Sequence, residues 1–314
     1  MRHYTLTAPA KINLHLEIIG DRADGYHELV MILQGIGLED RIHLYAGSTQ
    51  DIHLHCENPD VPLGADNIAY KAAQLMCQEY PQSYAQYGGV DISIEKNIPV
   101  AAGLAGGSTD AAAVLVGMNL LWKLGLTQPE LQILASQLGS DIPFCLEGGT
   151  ALALGRGEEI WPLDELREAK VILAKHRNLY VSTAWAYQTY RQQFEQTYLQ
   201  QPEQLEAGRK QAHSANLVSA IAQQNYPKIG QLLYNDLEKV VFPAYPQVEA
   251  LKAAFQEEKE VLGAMMSGSG PTVFALCPPS AVAENIVKAV KSKLKDATLE
   301  FWITELTGHG IQVK

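Results

Sequence analysis

The segment Pro99-Val-Ala-Ala-Gly103-Leu104-Ala105-Gly106-Gly107-Ser108-Thr109-Asp110 packs three glycines into five residues, just ahead of an alanine-rich stretch. Glycine lets a backbone approach a ligand closely and adopt positive φ. The start of a helix behind such a loop offers free N–H groups and the positive end of a dipole. Together these make an anion cradle suited to a polyphosphate. Without a ligand the same residues would be a tight loop with Ser108 or Thr109 as an N-cap. The loop is neither a Walker A sequence, since Gly-x4-Gly-Lys-Ser/Thr is absent from the chain, nor spaced like a dinucleotide fingerprint. A second glycine-rich loop, Gly263-Ala-Met-Met-Ser267-Gly268-Ser269-Gly270-Pro271, reads as a turn into an apolar strand, or as the opposite wall of one phosphate site.

Two charged residues suit proton transfer. Asp141, in Leu138-Gly-Ser-Asp141-Ile-Pro143-Phe144, could act as a general base, with Lys11 nearby to orient a hydroxyl nucleophile. The plain alternatives are an N-cap or turn for Asp141 and a solvated strand face for Lys11. Tyr26-His27 follows a glycine turn and offers an aromatic face for a planar base, or simply an exposed strand start.

The elements that must position these groups follow from periodicity. Residues 4–19 alternate, with Ile12, Leu14, Leu16 and Ile18 on one face and Lys11, Asn13, His15 and Glu17 on the other. A polar turn spans residues 20–25, and an apolar stretch covers 29–38. Short strands are expected at 41–45, 51–55 and 90–95, and a helix at 66–80. A strong helix at 108–124 is stopped by Gly125. Thr127-Gln-Pro-Glu130 is a capping box with proline in the first turn. Strands follow at 150–154 and 171–175. A Gln-rich, mostly helical region covers 182–235. Pro243 and Pro246 break the chain before a helix from about Val248, and strands at 272–277 and 299–306 flank a helix at 281–294. The class is α+β, with a boundary near residue 160 dividing units 1–160 and 161–314.

Bulk properties narrow the function. The 314 residues are 47 % hydrophobic and 19 % charged, an ordinary globular profile. Acids outnumber bases 35 to 24, for a net charge of −11, which argues against a nucleic-acid partner. An acidic chain handling polyphosphates must concentrate positive field locally. Cys56, Cys77, Cys145 and Cys277 lie far apart and read as free thiols, not a zinc or redox motif. No apolar run approaches the roughly 18 residues of a membrane span. The N-terminus, from Met1, enters a strand pattern without a signal or transit segment. The expected location is therefore a cytoplasm, bacterial in the first instance, or a plastid stroma for a trimmed chain.

Five motifs occur in a known order: Ala8-Pro-Ala-Lys11-Ile-Asn13-Leu, Asp24-Gly-Tyr-His27, the loop at 99–112, Gly139-Ser-Asp141-Ile-Pro-Phe144, and Met266-Ser-Gly-Ser-Gly-Pro271. Together they resemble the GHMP kinase superfamily. The first two motifs resemble its branch that phosphorylates the 2-hydroxyl of a methylerythritol carrying a cytidine diphosphate. The resemblance implies a ribosomal-protein-S5-like N-terminal domain that binds ATP, a smaller α+β C-terminal domain, and an active site between them. It implies Asp141 as base with Lys11 as its charged partner, and Asn13 beside them on the substrate. Tyr26 and His27 would hold the cytosine, with Thr183 nearby and Tyr187, or alternatively Trp185, on the other face. Residues Gly103 to Thr109, with Pro99, would wrap the ATP phosphates, and Asn67 and Lys96 would lie at the nucleoside end. Mg2+ should accompany ATP with no protein ligand named for it, and Asp110 should point away from the phosphates. The resemblance leaves two rivals, another GHMP kinase acting on mevalonate, homoserine or a sugar, and a non-catalytic RNA-binding module. Oligomeric state is not readable from the sequence.

Overall fold

The computed structural model describes residues 2–47 and 49–314; Met1, the first residue of the expected N-terminal pattern, and Ser48 lie outside it. The chain opens with two long antiparallel strands, β1 (His3–Asp21) and β2 (His27–Ala46). The turn between them is built by the residues that punctuate it. The Asp24 carboxylate accepts the Tyr26 N–H at 3.1 Å, and Gly25 takes φ +83°. β2 is one strand where two were expected, because nothing between Leu38 and Arg41 turns the chain.

Eight strands among the described residues form one sheet. After β3 (Ile52–Cys56) come β4 (Val90–Glu95), β5 (Thr150–Leu154) and β6 (Glu159–Pro162). The first half of β2 pairs with β5, and the second half pairs with β4. A second sheet has the antiparallel order β11-β7-β10-β9, from β7 (Lys170–His176), β9 (Gly263–Met266), β10 (Val273–Cys277) and β11 (Leu299–Glu305). β9 occupies what was read as the start of a glycine-rich loop. The first sheet is completed by the two-residue β8 (Tyr234–Asn235), parallel to β1, and the C-terminal β12 (Gln312–Val313), antiparallel to it.

The first half carries helices α1 (Ile68–Glu79), α2 (Pro81–Tyr87), α3 (Gly106–Leu121), α4 (Gln128–Leu138) and α5 (Ile142–Glu147). Ala72 and Met76 of α1 and Ala112, Leu115 and Met118 of α3 meet Leu6, Ile42, Leu44 and Ile92 of the sheet in one core. Each fully buried leucine or isoleucine contributes roughly 1.5–3 kcal/mol, so α3 is firmly seated and its N-terminus has a fixed direction. At the start of α4 the Glu130 carboxylate accepts the Thr127 N–H at 2.8 Å, as the capping sequence requires. The second half carries α6 (Thr183–Gln193), α7 (Pro202–Gln211), α8 (Ser214–Ala222), α9 (Tyr226–Gln231), α10 (Glu238–Ala244), α11 (Pro246–Gln256) and α12 (Ala283–Leu294). Pro243 lies inside α10 and does not end the chain's helical run before it. Pro246 opens α11, where a missing N–H costs nothing.

One feature of β1 departs from simple alternation. Asn13 pairs with Leu33 but His15 pairs with Ile32, so Leu14 is an extra, bulged residue. The bulge flips the faces. Lys11 and Asn13 share a face with Leu16, while His15 turns to the opposite side and stacks on Tyr234 at 5.4 Å. The expected common face of Lys11, Asn13, His15 and Glu17 therefore ends at Asn13. No helix among the described residues is long and apolar enough to cross a membrane, and the four cysteines are free.

Candidate active site

The glycine-rich loop leaves β4 and enters α3 through alternating left-handed residues, Ala101 at φ +52°, Gly103 at +76° and Ala105 at +58°. A left-handed alanine costs roughly 1–2 kcal/mol, so the loop needs anchors. The Lys11 N–H donates to Leu104 O at 3.1 Å, and Ser267 Oγ donates to Gly103 O at 3.0 Å. A Cβ at position 103 would stand 2.3 Å from Ser267 O, so only glycine lets the two loops meet this closely. The second loop is thus the facing wall.

Between the walls opens a cavity of about 840 Å3, the size of a small-molecule site. Pro99 and Gly103 to Ser108 line it, with the first-turn N–H groups of α3 unpaired by helix geometry. Thr109, expected among them, lies outside this wall. Its side chain is fully buried and its N–H already donates to Ala105 O at 2.9 Å.

Lys11, Asn13 and Asp141 converge on the same cavity. Lys11 Nζ donates to Asn13 Oδ1 at 2.8 Å and stands 3.6 Å from Asp141 Oδ2. Lys11 is buried, whereas the Asp141 side chain keeps 30 % exposure. Asp141 occupies the N-cap position of α5, yet its carboxylate makes no capping hydrogen bond. A pure cap would spend its oxygens on the helix; this one keeps them for the cavity and for Lys11.

The aromatic residues stand at another wall of the cavity. Tyr26 is half-exposed, with the Arg156 guanidinium over one face of its ring at 5.0 Å. His27 stacks on Tyr187 at 5.2 Å and 14° and takes the edge of Tyr198 at 5.7 Å. Burial pushes the His27 imidazole below its usual range; Asp21 opposes this and Arg191 adds to it. It is therefore neutral at pH 7, with one nitrogen able to donate and the other to accept. Of the two aromatics weighed on α6, Tyr187 borders the cavity, while Trp185 packs edge-on against Tyr245 at 5.5 Å. Thr183 also borders the cavity, and its hydroxyl meets that of Ser269 at 2.8 Å.

Asn67 and Lys96 both border the cavity, but their polar groups are engaged. Asn67 caps α1 through the Ala69 N–H at 2.8 Å and donates to Pro62 O at 2.7 Å. The Lys96 ammonium is held between Asp40 and Asp110, so Asp110 is turned to Lys96. Among the described residues there is no group of three His, Cys, Asp or Glu placed to hold a metal ion.

Sequence reasoning missed Asn235. Its amide donates to Met266 O and Gly268 O, both at 2.8 Å, and its oxygen accepts the Leu237 N–H at 2.9 Å. It therefore shapes the second loop beside Lys11. Nothing local marks it, because it lies in a two-residue strand that exists only through pairing with β1. Sequence reasoning also missed Arg156, whose place is defined by its contact with Tyr26 across many residues.

The description "GHMP kinases N terminal domain" matches residues 67–149, and "GHMP kinases C terminal" matches residues 217–296. A protein of Trichormus variabilis named 4-diphosphocytidyl-2-C-methyl-D-erythritol kinase is 55 % identical over 313 residues, covering 100 % of this chain and 99 % of its own. A Synechocystis protein of the same name is also 55 % identical over 313 residues and 100 % of this chain. A crystal structure of 4-(cytidine 5'-diphospho)-2C-methyl-D-erythritol kinase superposes with a TM-score of 0.70 at 32 % identity, covering 97 % of this chain and 99 % of that one. Homoserine kinase from Cytophaga hutchinsonii superposes at 0.75 with 17 % identity over 100 % and 98 % of the two chains, which speaks for the fold alone. The expected α+β GHMP kinase fold is the one found, and the chain is an ATP-dependent kinase acting on an alcohol. By full-length identity it belongs to the GHMP kinase family, among the 4-diphosphocytidyl-2-C-methyl-D-erythritol kinases.

Proposed function

We propose that this kinase transfers the ATP γ-phosphoryl group to the 2-hydroxyl of 4-diphosphocytidyl-2-C-methyl-D-erythritol, with Asp141 as general base. The carrying observation is the Asp141 carboxylate, at a helix start it does not cap and 3.6 Å from Lys11, beside the phosphate loop. The hydroxyl oxygen attacks the γ-phosphorus, its proton passes to Asp141, and the bond from the γ-phosphorus to the ADP oxygen breaks. Lys11 orients the carboxylate and places positive charge where charge builds up. Asn13, held by Lys11, contacts the acceptor.

Phosphoryl transfer is mainly positioning and electrostatic stabilisation. The residues Gly103 to Ser108, with Pro99, wrap the ATP phosphates. Tyr26 and Tyr187 take the cytosine by stacking, and the neutral His27 hydrogen-bonds its edge. Thr183 stands at the acceptor side, and Asn67 borders the nucleoside end. A Mg2+ would arrive on ATP, and Ser108 is a loop hydroxyl at the cavity that would face it, with no protein ligand assigned. Bound there, it would neutralise charge on the β- and γ-phosphate oxygens.

The test is a coupled ADP-release assay with the cytidylyl alcohol set beside mevalonate and homoserine. Turnover confined to the cytidylyl alcohol is expected. Turnover with another alcohol would keep the kinase and discard this acceptor.

A further inference from the structure

Under the phosphate loop lies a fully buried ion triad. Lys96 Nζ donates to Asp40 Oδ2 at 2.5 Å and to Asp110 Oδ2 at 2.6 Å. All three side chains are at most 4 % exposed. The second oxygen of Asp40 accepts the backbone N–H groups of Asn97 at 2.6 Å and Ile98 at 2.8 Å. Asp40 therefore holds the segment that enters the loop. Asp110 sits just past the first turn of α3, close behind the end of the loop. Lys96 joins the two, so both ends of the loop meet at one ammonium.

We propose that Asp40, Lys96 and Asp110 are positioning residues that clamp the two ends of the phosphate loop and hold its left-handed conformation ready for ATP. Ala101 and Ala105 would relax to ordinary φ if the ends were free to separate. Two carboxylates share one ammonium in the protein interior, and Asp110 is the one whose charged form burial disfavours. Burial drives its pKa well up, against the pull of Lys96 and with the push of Asp40. One Asp110 oxygen has no hydrogen-bond partner, and the other still accepts from Lys96. An Asp110 whose charged form burial disfavours serves the clamp and repels the phosphates beyond it less.

The inference rests on the loop being the ATP site, and the experiment separates the two. Steady-state rates would be measured with ATP and the acceptor varied in turn, alongside calorimetric ATP binding and thermal melting. In Asp110→Ala the KM for ATP should rise about tenfold or more, because a charge-assisted bond to Lys96 is lost, while the acceptor KM moves less than about twofold. In Asp110→Asn the amide oxygen replaces the acid oxygen on Lys96, and the ATP KM should stay within about threefold of wild type. An unchanged ATP KM in Asp110→Ala, or equal rises in both KM values, would overturn the clamp. If Asp110→Ala does not fold, a rise beyond about tenfold in the isosteric Asp110→Asn overturns it alone. Wild-type protein that bound no ATP would remove both the clamp and the ATP-site reading.

Discussion

Replacing Asp141 with asparagine tests the chemistry with little structural disturbance. The carboxylate makes no capping bond, so α5 loses nothing when it becomes an amide. What is lost is the ion pair to Lys11 at 3.6 Å. Coulomb attraction at that distance is about 4–5 kcal/mol for an effective dielectric near 20. With Asp141 30 % exposed, solvent screening and side-chain freedom reduce the net value to about 1 kcal/mol. Lys11 is buried, but Asn13 Oδ1 still accepts from it at 2.8 Å, so it is not stranded. The melting temperature should fall by about 2–4 °C.

Activity should respond on another scale. A positioned general base contributes roughly 10²–10⁴ in rate, or about 3–5 kcal/mol of barrier. The ADP-release assay should therefore show kcat reduced about a thousandfold. Calorimetric ATP affinity should stay within about twofold, because the proposed phosphate site is the loop and not Asp141. A variant that keeps more than about a tenth of wild-type kcat would remove Asp141 from the role of base. A kcat loss matched by lost ATP affinity or gross unfolding would refute the separation between chemistry and scaffold.

Stacking on a base contributes about 1–3 kcal/mol, so Tyr26→Ala should raise the acceptor KM at least about fivefold with ATP KM unmoved; an unchanged acceptor KM would sink the clamp assignment. Trp185→Phe should leave acceptor KM near wild type and Tyr187→Ala should not, and the reverse pattern in the same kinetics would exchange their roles. Asn235→Ala strips two carbonyls of their donors, at about 1–3 kcal/mol each when buried; melting should drop by several degrees and kcat should fall, and a variant with wild-type melting and rate would show that the second loop holds its own shape. Glu17 is raised by burial but more strongly lowered, to about 2, by hydrogen bonds from His15 and from the His213 N–H and ring. Below the ordinary value of 4.5 the unfolded chain binds this proton more readily, so the stability Glu17 contributes is present above pH 4.5 and lost as pH falls towards 2. Urea unfolding should show that loss, and Glu17→Gln should flatten it; an equally steep acid slope in the variant would place the loss elsewhere.

Local signals carried the glycine loops, the helix starts and the alternation of β1, because each depends on residues close in sequence. Thr127 and Glu130 specify the start of α4 by themselves, and Asp24 and Gly25 shape their own turn. Long-range pairing was not legible. The bulge at Leu14 exists because β1 must register with β2, and it alone decides that His15 leaves the face of Lys11. The two-residue β8 and β12 have no periodicity to read; they form because β1 offers an edge. The same limit applied to the site. Lys11 and Asp141 were legible as residue types, but their 3.6 Å contact is a product of the fold. Asn235 and the partners of Lys96 lay hidden for the same reason, each being defined by a contact across many residues.

The acidic composition poses the deeper physical question, since a chain of net charge −11 must attract a polyanion. Screening over about 8–10 Å makes the distant acids weak contributors, so the local arrangement decides. At the loop the α3 dipole and the unpaired N–H groups point at the cavity, and Lys11 is the buried cation beside them. Asp110, the acid just past the helix's first turn, is the exception that would spoil this field. It is buried against Lys96, while Asp40 accepts from the same ammonium and from the Asn97 and Ile98 N–H groups. Asp141 keeps its exposure at the cavity, as the proposed base toward a hydroxyl proton requires. Two carboxylates bordering one cavity thus take opposite treatments, burial against a lysine for Asp110 and exposure at the cavity for Asp141.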